Sequence, residues 1–470
     1  MKALGNVAGG PGFLRRFKGE VITPASPTYD QARAIWNGDI NRFPLAIVRP
    51  VDDADVVTAV QFARHADLLT AVRSGGHSYQ GHSTCDDGLV IDMSNIRNVS
   101  LDPSARIVSA QGGVLLRDVD NVTLPQGLVM PAGIVSHTGL AGLALGGGIG
   151  YLTPSFGMTC DQFVKLRVVT ASGKVIEASE TENPDLFWAL RGGGGNFGIV
   201  TNFECRTHEL GEVQTGPLVY PMDDAVDVIT ALSELMRGAP RELSLLMMLG
   251  VDPAVTLGGP PGERMLAVLV IYRGGADDPI LRELRSCGKP VFDAIQTANF
   301  HTLQQRADDI APHGVGWYMK SGHARELSRD LIERLLANAL EFRDVASPDV
   351  KREVYAIQSL GGTASDIAEA DTAYGGRRAR WHVAIEVGFK TPAERDRIVT
   401  WTKEAWAKTE LLLDLKTSYV NLNFEDGQRA LDQVYGPHKL SRLQNIKAAY
   451  DPDNFFRLNT NITPHGESQG

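Results

Sequence analysis

Long hydrophobic runs are missing from this 470-residue chain. The longest, Leu243–Val251 and Met265–Tyr272, are about half the ~20 residues that cross a bilayer, so no membrane-spanning helix is expected. Cysteine is scarce: Cys85, Cys160, Cys205 and Cys287 are widely spaced and too few for a disulfide framework, which fits a reducing compartment. A basic tract is absent as well. The 46 Lys and Arg are scattered against 56 Asp and Glu, and a net charge of −10 leaves no electrostatic footprint for nucleic acid. Arg15-Arg16 is followed by no apolar stretch of the signal-peptide kind, so the pair reads as a solvated turn. These absences predict a soluble, cytoplasmic protein with neither nucleic-acid nor membrane partners.

The remainder is ordinary globular composition, 43% hydrophobic and 22% charged, with a length that suits two or three lobes at about 150 residues each. Glycine is the exception. The 49 glycines make up about a tenth of the chain against a usual ~7%, and they are clustered.

Asp52-Asp53 caps an amphipathic helix over Val56–His65, and Leu68–Val72 reads as a strand entering the loop Ser74-Gly75-Gly76-His77-Ser78. Further strands are expected at Gly88–Met93 and Arg106–Ala110, with a hairpin over Val164–Ser179 turning at Ala171-Ser172-Gly173-Lys174. Past Leu210 the units lengthen. The pattern predicts helices near Asp223–Met236, Ala324–Phe342 and Pro392–Leu412, and strands at Met265–Tyr272, Glu353–Leu360, Trp381–Phe389 and Tyr419–Phe424. A last helix ends before Asp451-Pro452-Asp453.

Gly193-Gly194-Gly195-Asn196-Phe197-Gly198 fits G-x-G-x-x-G, but a capped helix, Asn183–Leu190, precedes it and a strand, Ile199–Cys205, follows. A Rossmann fingerprint needs the reverse order, so that reading is set aside. Three other glycine loops remain: Gly75-Gly76, Gly139 with Gly142, and Gly146-Gly147-Gly148 with Gly150. Each lies beside a strand-like run, and Ser74, Ser78, Ser136 and Thr138 add hydroxyls. Unshielded backbone N–H groups can cradle a pyrophosphate; the same glycines could equally serve tight turns and bulges. Three such loops within 80 residues point to a large phosphate-bearing cofactor. His77 sits inside the first loop, as a ligand contact or as a cap of the turn. His77, His82 and Cys85 match no recognised zinc pattern, and no metal is expected.

Together these motifs carry a resemblance. Val72-Arg73-Ser74-Gly75-Gly76-His77-Ser78, then Pro131-Ala132-Gly133 with Gly139, Gly142 and Gly146–Gly148, then Asn183–Gly198, resemble the FAD-linked oxidases of the vanillyl-alcohol oxidase/PCMH superfamily. Tyr419-Val420-Asn421 and Tyr450–Asn459 resemble the C-terminal signature of the berberine-bridge-enzyme-like branch. The resemblance implies an α+β fold: a PCMH-type FAD-binding domain of two α/β subdomains, with an inserted substrate domain built on an antiparallel sheet covered by helices. It places the FAD-binding domain at residues 1–210, the substrate domain at 211–416, and a C-terminal segment completing the first domain at 417–470.

The resemblance further implies FAD bonded covalently to His77 through its 8α-methyl carbon. Many relatives carry a second, cysteinyl link two residues after Pro-Ala-Gly, where this chain has Val135, so a single histidyl link is expected. A second departure is Thr153-Pro154-Ser155-Phe156-Gly157, where relatives commonly have a basic pair. The implied cofactor contacts are Arg73, Ser74, Gly75, Gly76, His77, Ser78, Pro131, Thr138, Gly139, Gly142, Gly146, Gly147, Gly148, Gly150, Ile199, Asn421 and Asn459; Thr138 could instead be a buried turn hydroxyl. The implied chemistry is hydride transfer from a small-molecule substrate to flavin, with O2 as acceptor giving hydrogen peroxide. A dehydrogenase using another acceptor and a non-catalytic flavin-binding protein are the alternatives. The protein is expected as a monomer or homodimer.

Tyr419 is the first candidate for the proton acceptor, against a role as a core tyrosine bonded to backbone. In Trp381–Glu386, strand alternation puts His382, Ala384 and Glu386 on one face, directed to a cavity or to solvent, which makes Glu386 the second candidate. Tyr318, Lys320 and Tyr355 follow.

Overall fold

The computed structural model describes residues 2–465 apart from 6, 8, 257–258, 260–263, 343–352 and 425–426. A mixed four-stranded sheet comes first, with Ala46–Arg49 and Thr70–Arg73 parallel to Leu89–Asp92 and Glu20–Ile22 antiparallel on the edge. The crossover into Thr70–Arg73 is helix Asp53–His65, whose N-cap Asp52 accepts a hydrogen bond from the Asp55 N–H. A five-stranded antiparallel sheet follows, in which Ile199–Arg206 lies between Ile107–Gln111 and Phe163–Val169. The expected hairpin is there, as Phe163–Val169 paired with Val175–Ser179.

The third sheet is antiparallel and eight-stranded among the described residues, and it begins at Val213. Its central strands Leu243–Val251 and Met265–Tyr272 explain the apolar runs of the sequence, because both faces are covered. Leu245, Met247 and Leu249 pack under helices Ala225–Gly238, Arg329–Phe342 and Pro392–Glu410, while Leu246 and Met248 pack toward Val129, Tyr151 and Leu152. Apolar side chains are therefore required at successive positions, and alternation disappears.

Two sequence expectations are corrected. The helix expected near Ala324–Phe342 begins only at Arg329, because Ala324 closes a strand, Gly316–Ala324, that the pattern did not reveal. Tyr419–Phe424 forms no strand: Val420–Leu422 is a 3-10 turn, since Tyr419 and Asn421 both bond into the 143–148 region instead of to a neighbouring strand. The last helical stretch, Gly427–Tyr450, is kinked at Gly436-Pro437, and its Leu431, Val434, Leu440 and Leu443 share an apolar cluster with Leu186–Leu190 and Phe197. No helix among the described residues is long and apolar enough to cross a membrane.

Candidate active site

A cavity of about 360 Å³ lies where the two small sheets, the eight-stranded sheet and the C-terminal segment meet. The sequence-predicted residues on its wall are Ser74, Gly75, Gly76, His77, Ser78, Thr138, Gly139, Gly142, Ile199, Asn421 and Asn459, together with Tyr419 and Glu386. Two glycine loops meet there. A Cβ on Gly75 would stand 2.2 Å from the Gly139 N, and one on Gly139 would stand 2.1 Å from the Gly75 N, so only glycine allows these backbones to touch. Gly76, at φ +71°, then turns the chain to present His77.

Arg73, Pro131, Gly146, Gly147, Gly148 and Gly150 stand off the wall. The Arg73 guanidinium turns away to the Ser83 and Ala32 carbonyls. A Cβ on Gly146 would meet the Asn421 amide, one on Gly148 the Thr159 hydroxyl, and one on Gly150 the Ala132 carbonyl. These glycines let the 146–150 turn pass close beneath the wall. From there the Gly148 N–H donates to the Tyr419 hydroxyl at 2.9 Å.

Glycines set aside with the Rossmann reading also reach the wall: Gly193, Gly194, Gly195 and Gly198, with Asn196. Asn196 donates to the Gly193 and Thr460 carbonyls and accepts from the Ile462 N–H, tying this turn to the C-terminal segment. The glycine run was visible in sequence; its role depends on a partner more than 260 residues away.

The wall suits FAD. Among the described residues it carries no Lys or Arg, so a diphosphate there would rest on backbone N–H groups and hydroxyls of the glycine loops. Ser74 Oγ, Ser83 Oγ and Asn459 Oδ1 are buried wall atoms with no hydrogen-bond partner, the condition expected where a polyhydroxylated ligand belongs. None of the four cysteines lines the cavity, whereas Val135 does. Cys160 is fully buried beside Asp161 and Arg377, and burial pushes its thiol pKa up.

His77 is the centre of an arrangement that sequence reasoning did not anticipate. Its Nε2 lies 2.7 Å from His137 Nδ1, its ring stacks on Trp36 at 4.8 Å, and His313 completes the group at 5.8 Å between rings. Burial, with the neighbouring His137 and His313, lowers the His77 pKa well below its usual 6.5 and keeps the ring neutral. One ligand atom from each of the three imidazoles lies within 4.8 Å of the others, close enough for a metal ion. The short His77–His137 hydrogen bond already uses a lone pair of that set, which favours proton handling over coordination. His82 and Cys85 take no part: His82 is buried with its pKa lowered to about 4, and Cys85 donates weakly to the Leu69 and Leu89 carbonyls.

Tyr419 is buried, and its oxygen accepts from the Gly148 N–H and from Asn421 Nδ2 at 2.8 Å. Burial pushes its pKa up to about 12, against the pull of those donors. Glu386 accepts from the Tyr79 hydroxyl at 2.7 Å. The face shared by His382, Ala384 and Glu386 points inward: all three line a second chamber of about 90 Å³, which shares Ile134, Met319, Gln358, Glu386 and Leu422 with the first cavity. Tyr318 and Lys320 are on neither wall, and the Tyr355 side chain lies outside the described residues.

Comparison with known proteins agrees with this geometry. The family described as FAD binding domain matches residues 44–179, and that described as berberine and berberine like matches 418–463. An FAD-linked oxidoreductase of Dictyostelium discoideum is 32% identical over 459 residues, 96% of each chain. Among solved structures, 6-hydroxy-D-nicotine oxidase from Arthrobacter nicotinovorans superposes with a TM-score of 0.82 at 26% identity, covering 96% of this chain and 98% of that one. Glucooligosaccharide oxidase from Acremonium strictum gives 0.83 at 25%, with the same coverage, and its FAD is described as 6-S-cysteinyl, 8α-N1-histidyl.

Proposed function

Because the chain belongs to the FAD-linked oxidoreductases and ends in a berberine-like segment, we propose that it is an oxidase acting on a small organic substrate. The substrate class is an alcohol, a sugar or a secondary metabolite. The observation that carries the reading is a single cavity bordered by His77, Tyr419 and Glu386 and continuous with a second, largely apolar chamber. Bound FAD supplies the hydride acceptor and the passage of electrons to O2, giving hydrogen peroxide.

His77 anchors the cofactor by one covalent bond to its 8α carbon. With Nε2 engaged by His137, Nδ1 is the nitrogen left for that bond. The 8α-N1-histidyl flavin of the glucooligosaccharide oxidase supports this, and Val135 in place of a cysteine supports a single link.

Glu386 takes the substrate proton. It stands where the two chambers join, with the Tyr79 hydroxyl steadying one oxygen. Tyr419 is a phenol at neutral pH, because burial raises its pKa, and it donates to the substrate oxygen while two N–H groups hold its own oxygen in place. Leu246, Met248 and Leu269 on the sheet face exclude water from the substrate. Four free cysteines keep the protein consistent with the cytoplasm.

Denatured protein should stay yellow, with the flavin on the peptide containing His77. Anaerobic substrate should bleach it, and air should restore colour with release of peroxide. Recovery that requires an added electron-accepting dye would make the protein a dehydrogenase, and a flavin that no substrate bleaches would make it a binding protein.

A further inference from the structure

We propose that His382 is the specificity residue of the second chamber: its imidazole hydrogen-bonds a hydroxyl that the substrate carries away from the oxidised carbon, on a body that is otherwise an apolar ring. This deepens the reading of that chamber as the substrate site and rests on it.

Two buried histidines face each other across adjacent strands, His382 on Trp381–Phe389 and His323 on Gly316–Ala324. His323 is satisfied, with Nδ1 at 3.1 Å from Thr417 Oγ1 and Nε2 at 3.3 Å from the Tyr374 hydroxyl. His382 has a partner within the protein at neither ring nitrogen, and it lines the chamber. Its ring is packed on two sides, by His323 at 5.5 Å and by Tyr419 at 6.1 Å with planes 89° apart, which restrains the edge it presents. A residue that only filled this place would be apolar, because a buried imidazole gives up its bonds to water and here gains none from the protein. The partner it is built for is therefore a ligand.

Strand register gives the shape of that ligand. His382, Ala384 and Glu386 follow one another on one face, with Gln358 opposite His382 and Ala356 opposite Ala384. The two alanines leave the middle of the chamber open, and Leu246 and Met248 on the next strand, beside Gln358 and Ala356, make its floor apolar. Glu386 and His382 are four residues apart, about 13 Å along the strand, so a molecule whose oxidised carbon lies at Glu386 presents its far end to His382. Gln358 donates to the Gly150 carbonyl, Glu386 accepts from Tyr79 and Arg306 is exposed, which leaves His382 as the unpartnered polar side chain of the enclosed wall among the described residues.

Burial lowers the His382 pKa to about 3, so the ring is neutral and offers one N–H and one lone pair. A hydroxyl, itself donor and acceptor, matches either nitrogen; a carboxylate finds no charge there. A sugar has a hydroxyl on nearly every carbon and would bury most of them against alanine, leucine and methionine without partners.

The test uses the flavin-loaded enzyme under anaerobic conditions with three probes: para-hydroxybenzyl alcohol, benzyl alcohol and cellobiose. Binding is read from perturbation of the flavin absorbance spectrum and reaction from its bleaching. Wild type should bind para-hydroxybenzyl alcohol at least about 10-fold more tightly than benzyl alcohol, and cellobiose more weakly than either. His382→Phe, which keeps a ring and loses both nitrogens, should bring that ratio near one, with benzyl alcohol bound as before and the thermal midpoint level or raised, since no bond within the protein is lost. His382→Gln, which keeps a donor and an acceptor, should recover part of the ratio. A ratio near one in wild type, an unchanged ratio in His382→Phe, or preference for cellobiose overturns the proposal. So does a His382→Phe protein too unstable to hold its flavin, because the imidazole would then be structural. Binding that depends on His382 without bleaching by any probe would support its role and defeat the oxidase reading, a result distinct from equal binding in all forms.

Discussion

Lys447 and Asp451, one helical turn apart, form an ion pair at 2.6 Å with both side chains fully buried. The ammonium also donates to the Asn196 and Phe456 carbonyls, and the carboxylate accepts the N–H groups of Phe455 and Phe456. The pair thus joins the last helix, the glycine turn and the cavity wall at Phe456–Thr460. Breaking it strands a buried charge. Asp451→Asn is expected to cost about 3–5 kcal/mol of stability, read from urea midpoints, with replacement of both partners by apolar residues costing less. An Asp451→Asn protein as stable as wild type would show that the pair is not what holds this wall.

The two proton-handling candidates separate by substitution. Glu386→Gln should slow anaerobic flavin reduction by about 10²–10⁴-fold, with the flavin still attached. Tyr419→Phe should slow it less and cost about 1–3 kcal/mol, because the Gly148 N–H and the Asn421 amide lose their acceptor. The reverse ranking of reduction rates would make Tyr419 the proton acceptor.

Gly75 and Gly142 both line the cavity, yet only one has no room for a side chain. Gly75→Ala would drive a methyl group into the Gly139 backbone, so flavin content should fall sharply. A Cβ on Gly142 meets nothing within 4 Å, and because the residue sits in helix Leu140–Leu145 its alanine variant should change stability by no more than about 1 kcal/mol. Flavin content and thermal midpoint of the two variants test this.

Acid should destabilise the fold early. Burial lowers the pKa of His82 and His323 to about 4 and of His382 to about 3. Between pH 6.5 and about 4, the unfolded chain therefore binds protons that the native protein does not. Stability is then full above pH 6.5 and falls as pH drops, by about 1.4 kcal/mol per pH unit for each histidine. Asp120 works in the opposite direction. Burial pushes its pKa up to about 7, so the native state holds a proton that the unfolded chain releases. It offsets one of these three histidines, so these four groups together contribute a slope of about 3 kcal/mol per pH unit. Unfolding midpoints that do not change between pH 7 and pH 5 would contradict these burials.

What the sequence determined by itself is local. Asp52-Asp53 before Val56 marked a helix start, because a cap is satisfied within a few residues. Gly75-Gly76 before His77 announced close backbone approach, and alternation over Trp381–Glu386 assigned Glu386 to a face. Strand Gly316–Ala324 was hidden because its mixed polar and apolar residues run directly into an amphipathic helix, and its nine buried positions are set by layers from distant segments. Alternation also left open what covers Glu386; the chamber that encloses it takes Ile134 from a loop of the N-terminal half and Met319 from the eight-stranded sheet. His77 and His137 meet across 60 residues, and His313 joins them from 236 residues beyond His77. No periodicity encodes such a meeting. Only the tertiary structure decided it, because a hydrogen bond between side chains depends on where separate elements are packed and not on the spacing of residues along the chain.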